Sequence, residues 1–112
     1  MFGWLNRRPA GCDLTPAEAQ ALVAEGKAVL VDVREESEWR SGHVPGAIHL
    51  PLSQFSQGVG RLPRDKKVIL YCLSGGRSGR ALGECAKAGL PIDSHVAGGI
   101  SAWQRAGLSV VR

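Results

Sequence analysis

A chain of 112 residues, 44% apolar and 21% charged, has room for one small domain and enough apolar material to bury a core. No apolar run approaches the roughly 18 residues needed to span a bilayer, so no membrane span is expected. The net charge of +4 is mild and dispersed, without the dense Lys/Arg block interleaved with aromatics that marks a nucleic-acid surface; it suits small anionic substrates.

The first residues, MFGWLNRRPAG, hold an apolar piece from Phe2 to Leu5 that is too short for a signal-peptide core, and its arginines follow rather than precede it. Residues 1–11 therefore read as a mobile tail, with Trp4 beside Arg7 and Arg8 suiting a weak docking segment as the alternative. The domain is placed at 12–112. A short strand is expected around Cys12 to Leu14. Thr15-Pro16-Ala17-Glu18 predicts a helix start, with Thr15 as N-cap, Pro16 at the first helical position and Glu18 closing a capping box. Gly26 is its stop, and Leu14, Ala17, Ala21 and Leu22 give it an apolar face. Ala28 to Val31 is a continuous apolar run, the pattern of a strand buried on both faces, and Val68 to Tyr71 is a second. Weaker strands are expected at Ala47 to His49 and Ser94 to Val96. Helices are expected at Glu36 to Arg40, Ser78 to Ala88 and Ile100 to Ala106. Alternation of strand and helix predicts an α/β domain, a mostly parallel sheet with helices on both faces.

In such sheets ligands bind at the carboxyl ends of the strands. The run Val68 to Tyr71 ends on Cys72, and Leu73-Ser74-Gly75-Gly76-Arg77-Ser78 leads into the next helical pattern. Strand, glycine-containing loop and helix start together make an anion cradle of inward N–H groups at the positive end of a helix. A thiol there is biased toward thiolate, with Arg77 adding its charge. Cys72 is thus the candidate nucleophile, and Leu73, Ser74, Gly75, Gly76, Arg77 and Ser78 the candidate anion-binding residues. Cys85 reads as a small core residue and Cys12 as an incidental thiol, with a relay role as its alternative. The three cysteines show no CxxC and no zinc-spaced Cys/His cluster, so no metal site is expected, and the pattern suits a reducing compartment.

These residues resemble the rhodanese family from about Leu14 to Trp103. Asp32-Val33-Arg34 with Glu38 and Trp39 resembles its DVR-x-x-x-E segment. Gly42-His43-Val44-Pro45-Gly46-Ala47 resembles its G-H-[IV]-P-G-A motif, and Cys72 to Ser78 resembles its C-x-x-G-x-R-S loop. Gly98-Gly99-Ile100-Ser101-Ala102-Trp103 resembles its closing G-G-x-x-x-W. The resemblance implies a five-stranded, mostly parallel sheet and a cytoplasmic thiosulfate sulfurtransferase working through a Cys72 persulfide without cofactor. Its expected partners are a small anionic sulfur donor and a thiol or cyanide acceptor, a protein thiol included.

Within this frame, Asp32 is expected to accept hydrogen bonds that fix the active loop. Arg34 and Glu38 are expected to form an ion pair that locks the neighbouring loop. His43 reads as a structural turn histidine and Trp103 as a core anchor, and Gly98 and Gly99 are expected to line the pocket. His49 and His95 carry no motif. A cysteine phosphatase is the enzymatic alternative, but only four residues separate Cys72 from Arg77, where phosphatase loops have five, and Tyr71 stands where an upstream histidine is expected. A non-catalytic binding module is disfavoured because Cys72 and Arg77 are both retained. A carrier charged by a protein partner would use the same chemistry.

Overall fold

The structure, a computed structural model, describes residues 13–112. The expected tail at 1–11 and Cys12 lie outside the described residues. Five strands, β1 (Asp13–Leu14), β2 (Ala28–Asp32), β3 (Ile48–His49), β4 (Lys67–Tyr71) and β5 (Ser94–Val96), form one sheet in the order β1-β5-β4-β2-β3. Every pairing between them is parallel, in agreement with the sequence analysis. The helices are α1 (Pro16–Ala24), α2 (Glu36–Ser41), α3 (Phe55–Gly58), α4 (Gly76–Lys87) and α5 (Gly99–Arg105), with short 3-10 turns flanking α3.

The two central strands are buried on both faces, which is why their sequences are continuously apolar rather than alternating. Successive side chains point to opposite sides. Val31, Val68, Leu70 and Cys72 join one core with Phe55, Leu62, Ala81 and Cys85. Ala28, Leu30, Ile69 and Tyr71 join the other with Ala19, Ile100 and Trp103. Val31 and Ile69 are fully buried.

The α1 start is as expected: Thr15 Oγ1 accepts from the Glu18 N–H at 3.1 Å, and Glu18 Oε1 accepts from the Thr15 N–H at 2.9 Å. The expected apolar face of α1 is corrected. Ala17 and Ala21 are exposed, and the helix instead buries Ala19, with Leu22 and Val23 packed against the core. The turns from Leu52 to Arg61 were not foreseen, although Phe55 there and Leu62 just beyond are core residues.

From β2 the chain passes outward to β3, and from β4 it passes the other way to β5. The carboxyl ends of β2 and β4 therefore border the topological switch point, where open α/β sheets hold their ligands. Gly99 closes this edge. Its φ is +61°, and a Cβ there would overlap the Cys72 and Leu73 backbone. That close approach lets the Ile100 N–H donate to Cys72 O at 2.9 Å and the Ser101 N–H to Leu73 O at 3.1 Å. Gly98 and Gly99 thus brace the loop from behind, where the sequence analysis placed them in the pocket lining.

Gly99→Ala should destabilise the protein by more than roughly 1 kcal/mol in chemical denaturation, because it meets both a left-handed backbone and a backbone clash. Gly83→Ala, inside α4 with open space around it, should stabilise by about 0.5–1 kcal/mol through helix propensity alone.

Candidate active site

Cys72 directly follows β4 and is 1% exposed. The chain then turns sharply through Leu73, Ser74 and Gly75, whose φ of +113° makes it a left-handed cap for α4. The helix starts at Gly76, two residues before the expected start at Ser78, so Arg77 lies within its first turn. This brings two backbone donors onto the sulfur: the Gly75 N–H reaches Cys72 Sγ at 3.1 Å and the Ser78 N–H at 3.4 Å. Ser78 Oγ lies 3.5 Å from the same sulfur. Burial is the largest single influence on the thiol and opposes its ionisation, but hydrogen bonds from the Ser78 hydroxyl and from the N–H groups of Ser78, Gly75 and Ser74 outweigh it. The Cys72 pKa accordingly lies below its ordinary value.

Arg77 does not sit on the sulfur. Its guanidinium forms a two-pronged pair with the Glu38 carboxylate, at 2.7 and 2.8 Å, and so ties α4 to α2 across the switch point. The pair holds the Glu38 carboxyl down at about 2, chiefly through the Arg77 hydrogen bonds. The expected Arg34–Glu38 ion pair is therefore corrected. Arg34 pairs with Asp32 instead, Nη2 to Oδ2 at 2.8 Å with Nε between both oxygens, and Asp32 also accepts from the Arg34 N–H at 2.8 Å. Arg34 Nη2 further donates to Gly42 O. Asp32 is completely buried and serves the β2–α2 loop, not the Cys72 loop as expected.

Ser78 Oγ, which also donates to Gly75 O at 3.3 Å, has a further neighbour that the sequence analysis missed. It lies 2.7 Å from His95 Nδ1, and His95 Nε2 lies 2.8 Å from Asp13 Oδ1. The residues come from α4, β5 and β1, and no local spacing connects them. Only the register of β1 on β5, with Asp13 opposite His95, places the last two side by side.

Cys85 is 1% exposed in the same core as Cys72, and burial pushes its thiol up. His43 accepts its expected structural place: its ring stacks on Trp39 at 3.6 Å and its backbone bridges Val111. Trp103 is buried, with its indole N–H donating to Ser109 O at 2.8 Å. No group of three or more potential metal ligands exists among the described residues. None of the described helices is long and apolar enough to cross a membrane.

A strand-end cysteine that accepts from two backbone N–H groups at the switch point of a parallel sheet is a candidate nucleophile. Residues 15–106 match the model of the rhodanese-like domain, and the chain belongs to that family. It is 34% identical over 93 residues to a sulfurtransferase of Allochromatium vinosum, covering 83% of this chain and 87% of that one. It is 40% identical over 98 residues to the probable adenylyltransferase/sulfurtransferase MoeZ of Mycobacterium tuberculosis, covering 85% of this chain but only 25% of MoeZ. The crystal structure of a thiosulfate sulfurtransferase from Pseudomonas aeruginosa superposes with a TM-score of 0.82 at 27% identity, over 91% of this chain and 20% of that one. The chain thus spans about a quarter of MoeZ and a fifth of the Pseudomonas protein.

The depressed Glu38 carboxyl gives a signed pH effect. Its stabilisation is complete above the ordinary glutamate value of 4.5 and is lost as pH falls toward about 2. Between pH 5 and pH 2 the wild-type protein should therefore lose more stability than Glu38→Gln, measured by denaturation at each pH. Parallel losses in the two proteins would show that the pair contributes nothing to folding.

Proposed function

We propose that the protein transfers a sulfane sulfur from thiosulfate, or a similar small anionic donor, to a nucleophilic acceptor through a persulfide on Cys72. The observation that carries this reading is the convergence of the Gly75 and Ser78 N–H groups on Cys72 Sγ. The Cys72 thiolate attacks the outer sulfur of thiosulfate. A new S–S bond forms, the original one breaks, and sulfite leaves with its electron pair. The acceptor then attacks the outer sulfur of the persulfide, and Cys72 departs as thiolate. With cyanide the product is thiocyanate; in the cell the acceptor is a thiol, small or on a protein. The cycle needs no cofactor and suits the cytoplasm.

The half-reaction leaves the charge near Cys72 negative throughout. Fixed N–H donors serve thiolate and persulfide alike, without rearrangement. Leu73, Ser74 and Gly76 are exposed around the sulfur and form the approach for the donor. A phosphatase reading is disfavoured by Arg77, whose guanidinium is committed to Glu38 rather than turned to an oxyanion above the sulfur.

Incubation with thiosulfate should add the mass of one sulfur atom to the wild-type protein, and cyanide should remove it. Cys72→Ser should show neither the adduct nor thiosulfate:cyanide transfer, whereas Cys85→Ser should keep most of the transfer. A sulfur adduct that persists in Cys72→Ser would overturn the proposal. Arg77→Ala should raise the KM for thiosulfate, because it removes a cation and leaves the Glu38 carboxylate unpaired beside an anionic donor. Arg77→Lys should recover only part, since an ammonium cannot reproduce the two-pronged contact.

A further inference from the structure

We propose that Ser78, His95 and Asp13 form a proton relay that takes the thiol proton from Cys72 and returns it. This rests on Cys72 being the nucleophile of the proposed reaction. The chain of contacts is continuous: Cys72 Sγ to Ser78 Oγ at 3.5 Å, Ser78 Oγ to His95 Nδ1 at 2.7 Å, and His95 Nε2 to Asp13 Oδ1 at 2.8 Å. It leads from a cysteine 1% exposed to an aspartate side chain at 33% exposure, by way of an imidazole at 12%.

Ser78 Oγ faces two acceptors, Gly75 O at 3.3 Å and His95 Nδ1 at 2.7 Å, and the nearer one sets the direction. An ionised Asp13 only accepts, so His95 Nε2 carries the hydrogen and Nδ1 of the neutral ring is a lone pair. Ser78 donates its hydroxyl hydrogen to that lone pair, and its oxygen then accepts from the Cys72 S–H. Two concerted transfers follow. The Cys72 proton moves to Ser78 Oγ as the Ser78 proton moves to His95 Nδ1. The products are a thiolate that accepts from the new Ser78 hydroxyl and an imidazolium that donates to Ser78 Oγ and to Asp13. Proton count and net charge are conserved, and no redox partner is involved. A thiolate paired with an imidazolium is a strong device for lowering a cysteine pKa, and the serine here extends it by one bond.

Among the described residues, the His95 ring nitrogens meet Ser78 and Asp13. β4 presents apolar Leu70 in register with His95, and α4 presents Gly75 and Gly79 toward its Cε1. Among the described residues, Asp13 on β1 is the charged group in contact with its ring; the Arg77–Glu38 pair lies at the start of α4, and Arg105 on α5 lies beside Gly98. His95 and Asp13 are positioning residues: they act on the sulfur through Ser78 and do not touch the donor.

The test is the pH dependence of Cys72 alkylation by iodoacetamide, followed by mass spectrometry so that Cys12 and Cys85 are read separately. His95→Asn keeps a polar group near the Nδ1 position but cannot take a proton. Its alkylation midpoint should rise by about one pH unit or more. Asp13→Asn should move the midpoint in the same direction by less. An unchanged midpoint in His95→Asn, with thermal melting like the wild type, would overturn the relay. Should His95→Asn not fold, Asp13→Asn at the sheet edge decides: an unchanged midpoint there overturns the relay. Alkylation does not require sulfur transfer, so the two proposals fail separately. An absent sulfur adduct with a relay-dependent midpoint sinks the transferase reading alone, and normal transfer with a relay-independent midpoint sinks the relay alone.

Discussion

A sulfur atom removed from water can carry negative charge only if other donors replace the water. Cys72 and Cys85 show this as a pair. Both are 1% exposed, both border the same core, and burial alone pushes each thiol up. Cys85 sits within α4, where its backbone neighbours are already bonded in the helix, and its pKa is raised. Cys72 sits just before the same helix, where the first-turn N–H groups have no helical acceptor, and its pKa is lowered. The Ser78 hydroxyl first, and then the free N–H groups of the helix start, separate a thiol whose pKa is lowered from one whose pKa is raised.

The rest of the carboxyl edge keeps those donors aimed. A three-residue turn can bring Gly75 back to the sulfur only with a left-handed backbone, which glycine accepts without cost from a Cβ. The turn would be loose if its carbonyls faced solvent. Instead α5 starts against it, and the N–H groups of Ile100 and Ser101, two further first-turn donors, take Cys72 O and Leu73 O. Two helix starts therefore meet on one loop. On the far side, the buried Asp32–Arg34 pair fixes the β2–α2 connection through the Arg34 contact to Gly42 O. α2 in turn presents Glu38 to Arg77. Loss of either member of the Asp32–Arg34 pair would leave a charge buried without its partner, a penalty of about 3–5 kcal/mol.

The strands were legible because burial on both faces writes itself as an uninterrupted apolar run, and the start of α1 because its capping box is local. What failed to be legible had no local signature. The face of α1 was misread because alanines at 17, 19, 21 and 24 surround the helix and define no stripe. The turns around Phe55 hold Gly58 and Gly60, poor helix formers that leave no sustained helical period in this stretch. Arg34 and Glu38 looked like partners because they are four apart, but Arg34 lies ahead of α2, where helical spacing does not apply. Its true partner, two positions back, lies on the same side of an extended segment. Glu38 and Arg77 are 39 positions apart, and Asp13 and His95 are 82 apart. Such pairs follow from strand order, which one sequence does not spell out. Cys72 and its glycines were found because strand, turn and helix start are consecutive in the chain.

The use of neutral donors at the sulfur, with the arginine held off it, has its own chemical sense. A thiolate becomes less nucleophilic as its pKa falls, so the most effective attacking thiol titrates near the working pH rather than far below it. A guanidinium placed directly on Sγ would raise the thiolate fraction further while blunting its attack. It would also hold an anionic leaving group. Glu38 prevents both by engaging Arg77 through two hydrogen bonds, leaving its influence on Cys72 to act through space. Backbone N–H groups supply a smaller, fixed stabilisation that serves the sulfur before and after its proposed load is taken on. In the proposed reaction the ion pair would therefore have two parts: it joins α2 to α4, and it would limit how much positive charge the sulfur meets.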